Sequence, residues 1–245
     1  MYAYLILYQT KQFLDFVHFS SVAMPFLTSV LFFIDADQSD QTPSSHLGRL
    51  DYASLSQEIL MELLIEHIEK KEKITTEDDT DIESWNGITC NEHGDVMRVN
   101  WGFLNIRGKI DLQWLPSTIK YFQISGNSFK GSADFSRLPT KLESVELGGN
   151  SLDGAIDLTA LPESLVTLTA QYNNFSGSLE LTSLPDALKH LYLNNNKFEG
   201  YVNFGALPDS LCALNLSGNA LLEGRLEENE FIWTENTRII RVPLE

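Results

Sequence analysis

Few side chains in this sequence have types and spacing suited to chemistry. The five histidines, His18, His46, His67, His93 and His190, share no recognisable spacing with a serine or cysteine nucleophile, so no acid–base or nucleophilic set is legible. No glycine-rich phosphate-binding loop occurs. Glu77, Asp78, Asp79, Asp81 and Glu83 offer the oxygen ligands that calcium prefers, but the run lacks the turn glycine of a calcium loop and reads as a solvated acidic loop. A second carboxylate set recurs at a fixed interval: Asp111, Asp134, Asp157 and Glu180, with Asn203 at the fifth place. On extended return runs these groups would project outward about 5 Å apart. There they could share a divalent cation or, more plainly, keep an exposed edge soluble. Two glycosylation triplets occur, Asn174-Phe-Ser and Asn215-Leu-Ser, with Asn174 expected in a turn as the better acceptor. The expectation is no catalytic residue, no metal centre and no cofactor.

The elements that position these groups follow from a repeat of 23 residues. Leu-Pro recurs at Leu115/Pro116, Leu138/Pro139, Leu161/Pro162, Leu184/Pro185 and Leu207/Pro208. An apolar triad follows each pair: Ile119/Phe122/Ile124, Leu142/Val145/Leu147, Leu165/Leu168/Ala170, Leu188/Leu191/Leu193 and Leu211/Leu214/Leu216. Next come Asn127, Asn150, Asn173, Asn196 and Asn219, and two residues later Phe129, Leu152, Phe175, Phe198 or Leu221. Gly131, Gly154, Gly177 and Gly200 close four of the units. Alternation within the triad makes a short strand with every second side chain buried. Asparagine can satisfy a turning backbone between neighbouring coils, glycine allows the bend after it, and proline starts the next turn. Stacked coils then form a parallel sheet, each burying its apolar residues against the next.

These residues resemble the leucine-rich-repeat family, whose signature is Leu-x-x-Leu-x-Leu-x-x-Asn. An atypical first coil is legible in Val96/Val99/Trp101, Ile106, Gly108 and Ile110, with Leu104 in place of the asparagine. Trp85-Asn-Gly-Ile-Thr-Cys90 looks like the N-terminal cap of plant-type extracellular members, and the Leu-Pro and glycine pattern is similar to protist versions. The resemblance covers residues 85–224 and extends loosely to an amphipathic helix expected over 52–70. There Leu55, Ile59, Leu60, Leu63, Leu64 and Ile68 share one face, Ser54 and Gln57 form a capping box, and Glu66/Lys70 and Glu69/Lys73 pair along the last turns. The fold it implies is an α/β leucine-rich-repeat solenoid, with a parallel sheet on the concave face, short return strands or turns on the convex face and an N-terminal capping helix. The plant-type cap ordinarily pairs its cysteines. Here Cys90 stands alone and Cys212 lies five strand spacings off, about 24 Å, beyond the reach of a disulfide. Both are expected as free thiols.

In this family the outward positions of the concave strands form the ligand face. One row is Arg98, Tyr121, Ser144, Thr167, His190, Ala213, and the next is Asn100, Gln123, Glu146, Thr169, Tyr192, Asn215. A third runs Gly102, Ser125, Gly148, Gln171, Asn194, Ser217, and a fourth Phe103, Gly126, Gly149, Tyr172, Asn195, Gly218. The expected binding residues are Arg98, Tyr121, Gln123, Glu146, Gln171, Tyr172, His190, Tyr192 and Asn194, with the tyrosines and His190 as anchors. The resemblance implies a non-enzymatic recognition module for a protein or peptide, secreted or at the cell surface; the alternative is an intracellular adaptor or scaffold.

Composition narrows the partners. The 245-residue chain has 17 Lys+Arg against 34 Asp+Glu, a net charge of −17, which excludes the basic footprint of a nucleic-acid binder. Residues 35–95 hold −12 of that charge and 96–224 only −3. The expected organisation is a signal peptide or membrane anchor at 1–36, an acidic linker and helical cap at 37–95, the repeat array at 96–224 and a C-terminal cap at 225–245. Membrane contact would come only through residues 1–34. Ile239–Val242 is expected as a last edge strand, with Phe231, Ile232 and Trp233 covering the final core.

Overall fold

In this computed structural model the described residues are 55–76, 81–227 and 230–243, all within a unit spanning Asp51–Glu245. The N-terminal signal or anchor and the acids Glu77, Asp78 and Asp79 lie outside them.

The chain winds into a solenoid with two parallel sheets. One contains β2 (Ile88–Cys90), β3 (Val96–Asn100), β5 (Tyr121–Gln123), β7 (Ser144–Glu146), β9 (Thr167–Thr169), β11 (His190–Tyr192), β13 (Ala213–Asn215) and β15 (Ile232–Trp233). Its spatial order is β15-β13-β11-β9-β7-β5-β3-β2, with β2 antiparallel to β3 and every other neighbour parallel. Register runs Arg98 to Tyr121, Ser144, Thr167, His190 and Ala213, one repeat per strand. This is the concave sheet. Phe122, Val145, Leu168, Leu191 and Leu214 point inward and are buried, as alternation requires.

A second sheet follows the asparagine corner of each coil. It holds β1 (Ile68–Glu69), β4 (Arg107–Gly108), β6 (Ser128–Ser132), β8 (Ser151–Gly154), β10 (Asn174–Gly177), β12 (Lys197–Val202), β14 (Leu221–Glu227) and β16 (Arg238–Val242), in the order β1-β4-β6-β8-β10-β12-β14-β16. Only the β1–β4 pair is antiparallel. Asn174 therefore opens a strand, not the turn expected for it. Gly131, Gly154, Gly177 and Gly200 all take positive φ, which lets the chain bend away from this sheet.

Each asparagine ties its own coil to the one before it. Asn196 Oδ1 accepts from Phe175 N–H at 3.1 Å, and its Nδ2 donates to Ala170 O and Leu193 O, both at 3.0 Å. Asn127, Asn150, Asn173 and Asn219 repeat the same three bonds at the same offsets. Each Leu-Pro starts a turn in which the proline carbonyl accepts from the N–H three residues on, as in Ile119 to Pro116 at 3.1 Å and Leu165 to Pro162 at 2.9 Å. Phe175 and Phe198 stack at 6.5 Å in the core, and Phe135 meets Phe175 edge-on at 6.3 Å.

The N-terminal elements are shorter than the 52–70 periodicity suggests. The helix α1 spans Gln57–Ile65, and its N-cap is Ser56, whose hydroxyl accepts from Ile59 N–H. Gln57 bonds forward instead, to Gly94 O at 2.6 Å and Val96 N–H at 2.9 Å, fastening α1 to β3. Past Ile65 the chain turns, with Lys70 left-handed, so Glu66/Lys70 and Glu69/Lys73 never become helical pairs. Glu69 pairs with Arg107 across the β1–β4 ladder instead. Met61, Leu64, Ile65 and Ile68 join the core of the first coil.

The last coil carries one extra residue. Neighbours in the second sheet pair 21 residues apart, as in Lys130 with Ser151 and Ser176 with Lys197, but Glu199 pairs with Leu221, 22 apart. Leu222 thus takes the core position expected for Leu221: it is 0% exposed and Leu221 46%. β16 forms where an edge strand was expected. Ile232 is buried, whereas Phe231 and Trp233 are exposed and do not cover the core.

Candidate functional site

The concave strands bring the first two expected rows together on one face. Arg98 Cζ lies 4.1 Å from the centroid of the Tyr121 ring. Tyr121 OH donates to Glu143 Oε2 at 2.8 Å, and Lys120 Nζ sits 2.8 Å from Glu143 Oε1. The hydrogen bonds from Lys120 and Tyr121 hold the Glu143 carboxyl below its usual range. The bond to Glu143 raises the Tyr121 phenol. Further along, His190 and Tyr192 stack with centroids 6.4 Å apart, and Thr167 Oγ1 is 3.4 Å from His190 Nδ1. Lys120 and Glu143 were not among the expected residues. Their signal was present: they occupy one column, 23 positions apart, with opposite charge.

The third and fourth rows differ from a flat strand surface. Gln123 lies over Gly102 and Gln171 over Gly148, so the amides fill the space that the glycines leave. Gln171 Oε1 is buried without a hydrogen-bond partner. Asn194, expected as a contact residue, is 8% exposed and belongs to the wall of the coil. The fourth row is the left-handed corner: Phe103, Gly126, Gly149, Tyr172, Asn195 and Gly218 all have φ between 55° and 69° or, for Gly218, 72°. An aromatic residue there costs about 1–2 kcal/mol relative to right-handed backbone. Phe103 and Tyr172 accept that strain and stand 78% and 62% exposed. Phe103 was in the row but not among the expected anchors, because sequence does not show which side chain a left-handed corner lifts into solvent.

Of the two glycosylation triplets, Asn215 has its side-chain oxygen occupied by Ser217 N–H at 3.0 Å and Ser217 OH at 2.6 Å. Asn174 is half-buried at the head of β10.

The carboxylate column is a set of turn caps, not a row of projecting ligands. Asp111, Asp134, Asp157, Glu180 and Asn203 each accept from the N–H two residues on: Gln113, Ser136, Thr159, Thr182 and Gly205, at 2.8–3.2 Å. Asp111 and Asp157 open the short 3-10 turns Leu112–Trp114 and Leu158–Ala160. The return runs are turns here, so the acids face their own backbone. Among the described residues no group of three or more His, Cys, Asp or Glu could hold a metal. Asp157→Ala removes one such cap and should lower stability by about 1 kcal/mol in urea unfolding. Hydrogen bonds from Ser136 and Thr182 hold Asp134 and Glu180 below their usual values. Their contribution to stability is therefore complete above the ordinary carboxylate range and is lost as pH falls through the lowered folded values.

Cys90 and Cys212 are both free thiols. Burial, with Glu83, Asp81 and Asp95 nearby, pushes the Cys90 thiol up.

The family model for the leucine-rich repeat matches residues 187–214, the coil carrying β11 and Asn196. The same asparagine-cornered coil recurs along the parallel stack. The chain has the leucine-rich-repeat solenoid fold. Solved structures share the fold. The leucine-rich-repeat ectodomain of the Arabidopsis thaliana receptor kinase SOBIR1 superposes with a TM-score of 0.55 at 22% identity, covering 69% of this chain and 97% of that one. Pollen Receptor Kinase 3 gives 0.59 at 23%, covering 75% and 95%. The plant peptide hormone receptor RGFR1, solved in complex with RGF2, gives 0.52 at 25%, covering 64% of this chain and 26% of that one. No curated protein sequence matches the chain. No helix among the described residues is long and apolar enough to cross a membrane.

Proposed function

We propose that this leucine-rich-repeat protein is a non-enzymatic recognition module that binds a protein or peptide on its concave sheet. The observation that carries the reading is the row of outward side chains on β3, β5, β7, β9 and β11. It presents Arg98, Tyr121, His190 and Tyr192 on a rigid parallel ladder, with Tyr172 lifted at the corner. Rigid aromatic groups on a fixed scaffold are what interface hot spots use. The fold is shared with a receptor-kinase ectodomain and with a plant peptide hormone receptor solved in complex with RGF2. About six strands make a face roughly 24–29 Å wide, compatible with about 800 Å² on each side of a standard interface. Gln123, Glu146 and Gln171 supply polar contacts between the anchors.

We further propose that the protein works in secreted form or at the cell surface, with residues 37–95 as the acidic linker and helical cap of the first coil and 225–245 as the cap of the last. The two free thiols favour the other reading, an intracellular scaffold, because oxidising compartments usually hold paired cysteines. N-terminal sequencing with a glycosidase mass shift separates them: a processed N-terminus with glycan at Asn174 supports surface display, and an intact Met1 without glycan supports the scaffold. For the binding face, Tyr172→Ala with Tyr192→Ala should weaken a captured partner at least tenfold without moving the unfolding midpoint. Unchanged affinity rules out this face.

A further inference from the structure

Stacking of the last coils puts four aromatic side chains at the C-terminal end of the concave face. β15 extends the ladder by one coil: Trp233 pairs with Asn215, as Asn215 pairs with Tyr192. Leu214 N–H donates to Phe231 O at 2.8 Å, so Phe231 stands beyond His190 and Ala213 in the adjoining row. His190 and Tyr192 stack with 4° between their planes, and Phe231 and Trp233 are 55% and 38% exposed. Between the two pairs runs β13, whose outward side chains are the small Ala213 and Asn215. The result is a slot with a low floor and aromatic walls two strand spacings apart, about 9.6 Å.

The slot is rich in donors. Ser217 N–H and OH occupy Asn215 Oδ1, which leaves the Asn215 NH2 to donate. Tyr192 OH and the Trp233 indole N–H donate to no group among the described residues. The flanks are charged and of opposite sign. The exposed Lys189 precedes His190 at one wall and enters none of the ion pairs among the described residues. The exposed Glu230 and Glu235 bracket Phe231 and Trp233 at the other wall.

We propose that this slot holds a proline-rich segment in the polyproline II conformation, one proline against each aromatic wall. This rests on the concave-face reading and adds the conformation and chemistry of the ligand. One polyproline II turn of three residues rises about 9.3 Å, so residues i and i+3 face the same way at the spacing of the walls. Same-side residues of an extended strand recur at about 6.8 Å and miss it. Proline brings no N–H, and a polyproline II backbone makes no internal hydrogen bonds, so its carbonyls accept from Tyr192, Asn215 and Trp233. The flanking charges set how the segment lies: an acid of the ligand beside Lys189, a base beside Glu230 and Glu235.

The test uses the full chain, immobilised, and hexapeptides blocked at both ends. Glu-Pro-Ala-Ala-Pro-Arg has its prolines three apart, and its isomer Glu-Ala-Pro-Ala-Pro-Arg has them two apart. A random hexapeptide library is screened beside them. The expected result is at least tenfold tighter binding of the first peptide than of its isomer, lost in Trp233→Ala with an unchanged unfolding midpoint. Lys189→Glu, outside the core, should transfer the preference to Arg-Pro-Ala-Ala-Pro-Arg, and this reading decides the matter where Trp233→Ala moves the midpoint. Equal binding of the two isomers, or a spacing preference that survives in Trp233→Ala, overturns the slot. Library peptides held by the native protein and lost in Tyr172→Ala then leave the concave-face reading standing. No peptide of either set held by the native protein overturns both.

Discussion

Asn196→Ala will lower the stability of this protein by about 3–5 kcal/mol. The substitution leaves Phe175 N–H without its acceptor and takes one of two asparagine donors from Ala170 O and from Leu193 O, which keep Asn173 and Asn219. The orphaned buried donor costs about 1–3 kcal/mol and each of the two lost carbonyl bonds about 0.5–1.5 kcal/mol, and Asn196 is itself buried, so water does not replace it freely. Asn196→Asp is the informative companion. A carboxylate can accept from Phe175 but cannot donate to the two carbonyls, and it places a charge among carbonyl oxygens. Its pKa will be raised, so this variant gains stability relative to its neutral-pH value as the solution is acidified. Urea unfolding at neutral and mildly acidic pH reads both effects. Because each coil contacts only its neighbours, the loss should also reduce cooperativity, seen as a lower m-value. An Asn196→Ala protein within about 0.5 kcal/mol of the parent would refute the ladder.

Leu222→Ala will cost about 2–5 kcal/mol, the range for emptying a buried leucine site, while Leu221→Ala stays within about 0.5 kcal/mol. Repeat spacing alone gives the opposite order, since Leu221 stands where Phe198 and Phe175 stand in earlier coils. The extra residue after Asn219 shifts the ladder, so β12 and β14 pair 22 apart and Leu222 turns inward. A one-residue shift in a strand exchanges its two faces. Comparing the two alanine variants by thermal and urea unfolding therefore tests the register of the last coil directly. A larger loss for Leu221→Ala would place the insertion elsewhere.

Most of the solenoid was legible because its causes are local and periodic. Leu-Pro marked each turn, the triad marked each concave strand, and Asn127 to Asn219 marked each corner. The rows Arg98–His190 and Asn100–Tyr192 followed by counting. Features that depend on non-repeating contacts were not legible. The helix stops at Ile65 because the β1–β4 pairing takes Ile68 and Glu69 into a sheet, a long-range contact that outweighs helical periodicity. Asp111 to Glu180 read as an outward column, but the return runs are turns, and an aspartate two residues before a free N–H caps it.

The sequence by itself determined the coil: its length, its inward residues, its asparagine corner and the neutrality of the face it offers. Only the tertiary structure decided which outward residues are free. It buried Asn194, occupied the side-chain oxygen of Asn215, lifted Phe103 and Tyr172 on left-handed backbone and stacked Arg98 on Tyr121. The physical reason is that periodicity sets which side a residue points to. What it then touches is set by the side chains of the coils before and after it, and those differ from repeat to repeat.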